Sequence, residues 1–280
     1  LSGERTMANT IDTAFITQFE TEVHLAYQRM GSKLRNTVRT VSNVNGNTVR
    51  FQKIGTGIAT TKSRNGQVTP MELAHTNVSV TMQDFFAAEF IDKLDELKTN
   101  IDERQVLSQS AAAALGRKTD QTIIDVLDAG SNSNNIVHGS VGLTLAKSLS
   151  VYEKFGAADI PDDGQRYFVV SPAGWADLLS IDQFSRAEYV GESDLPLATG
   201  ITAKRWLGFM WFTHSGLSIS STTRECHAFH RSAVGTAMGS EIRTEINYIP
   251  EKVSNLVTSY MSIGSTMIDN NGAIKVQITE

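Results

Sequence analysis

Apolar side chains near the start of the chain recur at helical spacing. From Ile11 to Met30 they fall three or four positions apart, and Gly31 follows them. This spacing predicts an amphipathic helix over residues 10–30 that ends at the glycine. On periodicity alone, the simplest interpretation is an ordinary packing helix.

A β-hairpin arm is the next prediction. Apolar positions alternate over residues 38–54, and Asn45-Gly46 within them is a strong signal for a short hairpin turn. A polar, glycine-containing run follows, and a second alternating segment covers residues 78–82. Two strands that flank such a run predict an extended arm with little core of its own, which needs a partner. A mobile surface loop is the alternative, although loops of this length are uncommon in compact domains and usually functional.

The strongest helix signal covers residues 100–128. Asn100 and Glu103 form a start that resembles a capping box, an apolar face runs from Leu107 to Leu127, and Gly130 supplies a stop. A helix of about 28 residues, at about 1.5 Å per residue, makes a rod about 40 Å long. Such a rod is unusually long for a globular domain.

Shorter elements fill the second half of the chain. A helix is predicted from Leu143 to Phe155, with Gly156 behind it. A strand at residues 167–170 and a following helix that bears Trp175 make a βα step. Further strands are predicted at residues 205–213, 227–230, 233–238, 245–249 and 273–278, the last of them after a turn at residues 270–272. Together these elements predict a mixed α+β protein.

Composition indicates a folded protein. The chain has 280 residues, of which 40% are hydrophobic and 20% charged, enough for one large core or two modest ones. The longest apolar run, residues 206–212, is far shorter than the roughly 18 residues of a membrane span, and no signal-peptide pattern opens the chain. One cysteine, Cys226, excludes an internal disulfide and fits a reducing compartment. We therefore expect a cytosolic protein without membrane segments.

Charge is unevenly distributed along the chain. The formal net charge of -5 argues against general coating of nucleic acid, because nonspecific binding depends on lysine and arginine. No acidic residue lies between Glu22 and Glu72, where eight lysines and arginines occur. From Glu72 to Asp128, eleven acids stand against five bases. A basic section is thus followed directly by an acidic one.

Sequence motifs for catalysis or cofactor binding are missing. Gly55-x-Gly57 lacks the third glycine of a dinucleotide fingerprint and opens no helix. Cys226, His227 and His230 form a cluster of soft metal ligands, but residues three apart in a strand point to opposite faces, so the two histidines would not readily share a metal. The chain also contains a group of carboxylates at Asp92, Asp95 and Glu96. Such a group is typical of a charged face in contact with solvent. We therefore expect no catalytic, cofactor or metal site.

Three segments stand out in the second half of the chain. They are FVVSPAGW at residues 168–175, GITAKRWLGF at residues 200–209 and AFHRSAVGTA at residues 228–237. In this order they resemble the axial domain of tailed-bacteriophage major capsid proteins.

The likeness extends over nearly all of residues 9–278. FITQFE at residues 15–20 and GSKLR at residues 31–35 look like the N-terminal arm of one branch of these coat proteins. DKLD at residues 92–95 precedes the long helix, as in the same branch. Further similar stretches are ALGR at residues 114–117 with a following Asp120, PEKVS at residues 250–254, MSIG at residues 261–264 and IDNNG at residues 268–272. Each motif alone is weak, but their shared order is specific.

The resemblance implies the Hong Kong 97-like coat fold, an α+β fold shared by tailed phages, herpesviruses and encapsulins. On this fold, residues 1–43 form an N-terminal arm, residues 44–84 an extended β-hairpin called the E-loop, and residues 143–237 an axial domain. Residues 85–142 and 238–280 form a peripheral domain built on the long helix, which is called the spine helix.

By the same resemblance we expect a major capsid protein and not an enzyme. It would assemble into hexamers and pentamers of an icosahedral head around double-stranded DNA, in the host cytoplasm, without a cofactor or sequence-specific DNA binding. A portal protein and a separate scaffolding protein are expected partners, since about 30 residues before the arm leave no room for a fused scaffolding domain; a decoration protein is a further candidate. Two alternatives stay open: an encapsulin-type compartment of the same fold, and a hydrolase that uses His227 or His230.

The division of charge predicts where subunits touch. A basic arm and an acidic segment attract each other and repel their like copies, so we expect the arm of one subunit to lie across residues 84–103 of the next. The expected contacts on the arm are Arg50, Lys53, Lys62 and Arg64. Those on the acidic segment are Asp92, Asp95, Glu96, Asp102 and Glu103.

Overall fold

The computed structural model describes residues 31–96, 103–130, 135–185 and 203–280. Its strands are β1 (Arg39–Val41), β2 (Thr48–Ile54), β3 (His75–Thr81), β4 (Gln83–Asp92), β5 (Arg166–Val170), β6 (Ala203–Trp206), β7 (Phe209–Thr213), β8 (Ile219–Ser220), β9 (Thr223–His230), β10 (Val234–Ile249), β11 (Ser254–Met267) and β12 (Ala273–Thr279). Its helices are α1 (Lys93–Glu96), α2 (Glu103–Gly130), α3 (Leu145–Ala157), α4 (Pro172–Leu179) and α5 (Asp182–Ser185). The helix predicted at residues 10–30 lies outside the described residues.

A four-stranded sheet in the order β1-β10-β11-β4 packs against the long helix α2. β10 and β11 form a long antiparallel hairpin, and β4 runs antiparallel to β11. Leu115 of α2 is buried in one apolar cluster with Met261 and Ile263 of β11. Alternate strand residues thus meet one stripe of the helix, which covers one face of the sheet.

A second sheet in the order β12-β9-β5-β7-β6, with β8 beside β9, contains the largest core. Phe168 of β5 stacks on Trp211 of β7 with ring centroids 3.9 Å apart. Trp175 of α4 is buried in the same core, and α4 follows β5 as the predicted βα step requires. Ile123 and Leu127 of α2 are buried there too, so the long helix contributes to both cores.

β2 and β3 form a two-stranded antiparallel arm in which Thr48 pairs with Thr81 and Ile54 pairs with His75. The residues between these strands, 55–74, contain no strand and are mostly exposed. We call residues 55–74 the arm tip. The strands on either side of the polar run therefore form the predicted extended β-hairpin.

The prediction of a hairpin at Asn45-Gly46 is wrong. β1 pairs in parallel with β10, whereas β2 pairs with β3, so residues 42–47 connect two different sheets. Val38 and Phe51, on either side of this link, are buried in separate apolar clusters. Burial in those clusters outweighs the local preference for a tight turn.

Strand boundaries in the second half also differ from the prediction. Residues 205–213 form the hairpin of β6 and β7, and Leu207 and Gly208 at its turn both have positive φ, as a type I′ turn requires. The two strands predicted at residues 233–238 and 245–249 are one strand, β10. β4 and β11 were not predicted. In β11, small polar residues such as Ser259 occupy buried positions and dilute the alternation, whereas β4 is mostly exposed and carries apolar residues on both faces.

Helix ends follow the prediction more closely. α2 ends at Gly130 as predicted, while the predicted cap at Asn100 lies outside the described residues. α3 begins after Thr144, whose hydroxyl accepts the backbone N–H of Lys147, and continues through Gly156. β12 pairs with β9 in the second sheet.

Candidate functional site

The arm is firmly anchored at its base. Phe51, Val80 and Met82 are buried in one cluster with Ala237. A Cβ at Gly235 would lie 2.8 Å from the Phe51 ring, so the ring packs directly on the glycine backbone. Apolar burial therefore fixes the place where the arm leaves the body of the subunit.

An ion pair reinforces the base of the arm. Lys53 Nζ lies 2.8 Å from Asp269 Oδ1, and the same oxygen accepts the backbone N–H of Asn271 at 3.1 Å. Lys53 thus has a partner for its charge inside the subunit. The pair is partly exposed, so it contributes only about 0 to 1 kcal/mol to stability.

The arm tip exposes apolar side chains. Ile58 is 82% exposed, Val68 64% and Met71 51%. Met71 and Leu73 lie over the backbone of Gly57, where a Cβ would approach Leu73 to 2.7 Å. Gly57 therefore allows the two sides of the tip to close, and it places Ile58 beside this small apolar group.

The other three basic residues predicted as contacts all lie on the surface of the arm. Arg50 is exposed on β2, opposite Ser79 of β3. Arg64 is exposed in the arm tip, and Lys62 donates to the backbone carbonyl of Gly66 at 3.3 Å. Their charges face solvent in the single subunit.

The acidic residues lie far from the arm. Asp92 is exposed at the end of β4, where its Oδ1 accepts the backbone N–H of Leu94 at 2.7 Å. Glu103 occupies the first turn of α2, which suits the partial positive charge of a helix N-terminus. Asp102 and the side chains of Asp95 and Glu96 lie outside the described residues. β4 leads away from the arm for about 30 Å before it reaches Asp92.

An exposed aromatic group on β4 was not predicted from the sequence. Phe86 is 69% exposed and Phe90 is 46% exposed, whereas Phe85 between β4 and α2 is packed inward. The Phe86 ring lies 6.5 Å from that of Tyr260, and Lys252 Nζ lies 3.9 Å from the Phe90 ring centre. We call Phe86, Phe90 and Tyr260 the aromatic patch. The period-two spacing of residues 86 and 90 is the signal that could have revealed it.

Asp120 holds the N-terminal part of the described chain against α2. Its buried carboxylate accepts the backbone N–H groups of Lys33 at 3.2 Å and Leu34 at 3.1 Å, and it also accepts the hydroxyl of Ser32. His214 Nε2 lies 3.0 Å from the same carboxylate. Burial raises the pKa of Asp120, but the bonds from His214, Ser32 and the two N–H groups together lower it below its ordinary value.

A glycine allows the chain to cross the helix here. Gly116 lies one turn before Asp120, and a Cβ on it would come within 2.8 Å of the backbone of Gly31. Any larger residue at position 116 would therefore displace the crossing chain. Gly116 and Asp120, which the capsid resemblance had singled out, thus act together as the crossing point.

A second aspartate ties α2 to the larger sheet. Asp128 Oδ1 lies 2.8 Å from Nε2 of the buried His227 on β9, and Asp128 also accepts the hydroxyl of Ser218. Burial raises the pKa of Asp128, but the contacts with His227 and Ser218 outweigh it, so the pKa lies below its ordinary value. Asp120 and Asp128 together fix the spine helix to the strands that follow it.

The residues considered for metal binding or hydrolysis have separate structural roles. His230 Nδ1 lies 2.7 Å from Ser232 Oγ and accepts the backbone N–H of Ser232, while Nε2 lies 3.1 Å from Asp163. The imidazole thereby caps the short turn that begins β10. Cys226 is fully buried, which raises the pKa of its thiol to about 12. No group of metal-ligating side chains occurs in the part of the chain that the structure describes.

Comparison with known proteins identifies the chain. The sequence pattern of the phage capsid protein family matches residues 11–280. The chain belongs to the phage capsid protein family. No curated protein matches it. Because this family consists of structural capsid proteins, the chain is a structural component of the virion capsid. The alternative of a hydrolase that uses His227 or His230 is therefore wrong. None of the described helices is long and apolar enough to span a membrane.

Solved capsid structures share the fold. A chain of the cyanophage P-SCSP1u capsid is similar with a TM-score of 0.76 at 16% identity, covering 96% of this chain and 94% of that one. A chain of Mycobacterium phage Che8 gives 0.73 at 19% identity, covering 94% and 97%. The capsid of a native GTA particle gives 0.75 at 12% identity and covers 100% of both chains. The fold is therefore the predicted α+β Hong Kong 97-like coat fold.

Proposed function

We propose that this capsid protein forms the hexamers and pentamers of an icosahedral phage head that encloses double-stranded DNA. The observation that carries the proposal is the arm, which has a base fixed by burial and a tip whose apolar side chains are exposed. A projecting element of this kind gains stability only against another molecule, and in a shell built from many copies the nearest partner is the neighbouring subunit.

The division of the chain into N-terminal arm, E-loop, peripheral domain and axial domain is part of this proposal, with β12 moved to the axial side. A separate scaffolding protein and a portal protein are the proposed assembly partners. A head that is filled with DNA needs an entry point, and a portal at one vertex would supply it. A decoration protein on the outer surface is a further proposed partner.

Electron microscopy of the purified protein tests the proposal. We expect negative staining to show closed shells of uniform size, and particles isolated from cells to contain nuclease-resistant double-stranded DNA when the other head proteins are present. An encapsulin-type compartment would instead enclose a protein and no genome. Preparations that contain only monomers under all assembly conditions would contradict both.

A further inference from the structure

The link between β1 and the arm, residues 42–47, carries the pair Asn45-Gly46 and joins two different sheets. The N–H of Val44 donates to the carbonyl of Met238 at 3.2 Å, and the carbonyl of Asn47 accepts the N–H of Met82 at 2.9 Å. These bonds fix the link on both sides of the pair, whose two residues are exposed. The pair therefore protrudes between two anchored points.

The side chain of Asn45 and the backbone nitrogen of Gly46 are unrestrained. Among the described residues, neither the N–H of Gly46 nor the side-chain amide of Asn45 has a hydrogen-bond partner. Gly46 has a φ of 115°, which residues with a side chain rarely adopt, and a Cβ at this position would meet nothing within 4 Å. The Asn45 amide can therefore rotate toward the Gly46 nitrogen without breaking a bond or displacing a neighbour.

We propose that Asn45 is a site of spontaneous covalent modification, in which its side-chain amide is lost as ammonia. The Gly46 nitrogen gives its proton to a solvent base and bonds to Asn45 Cγ, while the Cγ–Nδ2 bond breaks and ammonia leaves with a proton from solvent. The product is a succinimide ring. Water then adds to either ring carbonyl and opens the ring, which gives aspartate or isoaspartate. Water is the only co-reactant, and asparagine is one of the thermally labile residues.

A second copy of the same dipeptide, Asn271-Gly272, is protected by the fold. The N–H of Asn271 donates to Asp269 Oδ1 at 3.1 Å, and the N–H of the buried Gly272 donates to the carbonyl of Asp269 at 3.2 Å. A Cβ at Gly272 would come within 2.7 Å of Ala233, so the backbone is tightly packed there. The Gly272 nitrogen must leave these contacts before it can react. This local opening should slow the reaction at Asn271 about tenfold or more relative to Asn45.

The third such pair, Asn65-Gly66, lies in the arm tip. The N–H of Gly66 donates to the carbonyl of Ser63 at 3.0 Å, which is one bond in a segment with few others. Its reaction rate should depend on whether a neighbouring subunit holds the tip. This pair is therefore neither the proposed site nor the control.

The reaction changes both charge and length where the arm joins the body of the subunit. No acidic residue lies between Glu22 and Glu72, so the new carboxylate is the first in that section. Isoaspartate also adds a carbon atom to the main chain, between the bonds at Val44 and Asn47 that fix the link. The reaction needs only the folded subunit, so it does not depend on the proposed assembly.

Peptide mass spectrometry tests the proposal. We would incubate the folded protein for days at mildly alkaline pH, digest it with trypsin, and compare it with a sample digested at once. Cleavage after lysine and arginine places residues 40–50 and 253–275 in separate peptides, each with one Asn-Gly pair. In the first peptide we expect the mass increase of an exchange of NH2 for OH, in two separable forms, aspartate and isoaspartate. Its modified fraction should exceed that of the second peptide about tenfold or more.

Unfolded protein supplies the matched control. In guanidinium chloride the two peptides should be modified at similar rates, because both pairs then lack protection. Equal modification of the two peptides in the folded protein would overturn the proposal, as would a difference that persists after unfolding. Aspartate without isoaspartate at position 45 would exclude the ring and overturn it as well.

A variant confirms which residue reacts. Asn45→Gln should abolish the mass increase in residues 40–50, because glutamine would have to form a larger and less favourable ring. Since the side chain is exposed, the circular dichroism spectrum and melting curve should stay unchanged. An increase that persists in this variant would come from Asn43 or Asn47 and would contradict the assignment to Asn45.

Discussion

Asp120 brings together residues that are far apart in the chain. Its two carboxylate oxygens accept the N–H groups of Lys33 and Leu34, and the imidazole that contacts it, His214, lies 94 positions away. Each oxygen has at least one N–H donor of its own, so the group is fully engaged. Removing its charge therefore affects three parts of the structure at once.

Asp120→Asn should destabilise the subunit by about 3 to 5 kcal/mol. In either orientation of the new amide, its NH2 group lies opposite a hydrogen-bond donor that the carboxylate had accepted. That buried donor then loses its acceptor. Urea unfolding of the two proteins measures the change. Asp125→Asn on the exposed side of the same helix is the control and should change stability by about 0.5 kcal/mol or less.

The same variant should alter the acid dependence of stability. The folded pKa of Asp120 lies below its ordinary value, so the stability it contributes is present above the unfolded pKa and is lost as the pH falls through the folded one. Below about pH 4 the wild-type protein should lose stability more steeply than Asp120→Asn. Equal slopes for both proteins would show that Asp120 does not titrate on unfolding.

At the scale of elements, the arm combines a fixed base with an unsupported tip. The tip has few apolar contacts of its own, because Ile58, Val68 and Met71 face solvent. Fixing the backbone costs roughly 1 to 2 kcal/mol per residue, and little burial offsets that cost before a neighbour is present. Order in the tip should therefore depend on assembly.

Hydrogen exchange should show this dependence. In a verified monomer, amides of residues 55–72 should exchange within seconds, while those of β2 and β3 next to them are protected by their ladder. In assembled shells the same tip amides should become slow. Slow exchange of the tip in the monomer would contradict the expectation.

Helices and strands were predicted correctly where the spacing of apolar residues in the sequence matches the residues that are buried. They were missed where the two differ. The long helix was predicted because its apolar face repeats over about six turns and Gly130 supplies a stop. β11 was not predicted, because Ser259 is fully buried and bonds to Thr244 at 2.7 Å across the sheet. A sequence does not show which serines will find such partners. The contact of Asp120 with His214 has no local signal at all.

At the scale of the whole molecule, the opposite charges lie at different ends of β4. Arg64 is on the arm tip, and Asp92 is at the far end of the strand, so they do not meet within one subunit. We expect them to meet between neighbours, where repeated weak pairs add up around a shell. The arm contact stays a prediction, and Lys53 enters it with a charge that is already paired with Asp269 inside the subunit.

Lys62→Glu combined with Arg64→Glu should leave the subunit folded and strongly slow shell closure. Both residues are exposed, so their replacement hardly affects folding, but it reverses the charge that attracts the arm to its neighbour. Light scattering during assembly measures the rate. Raised salt should slow wild-type assembly in the same direction, since screening acts over roughly 8 to 10 Å at moderate ionic strength. If the double variant closes into shells at the wild-type rate, charge on the arm does not contribute to its contact with the neighbouring subunit.

The spine helix contributes to two cores, through Leu115 in one and through Ile123 and Leu127 in the other. A bend between the two sheets would have to open one of these cores or break the bonds at Asp120 and Asp128. We therefore expect each subunit to behave as a rigid plate. In the proposed head, five-fold and six-fold rings differ in curvature, and that difference must then be accommodated at the boundaries between plates, where the arm tip is the element able to adjust.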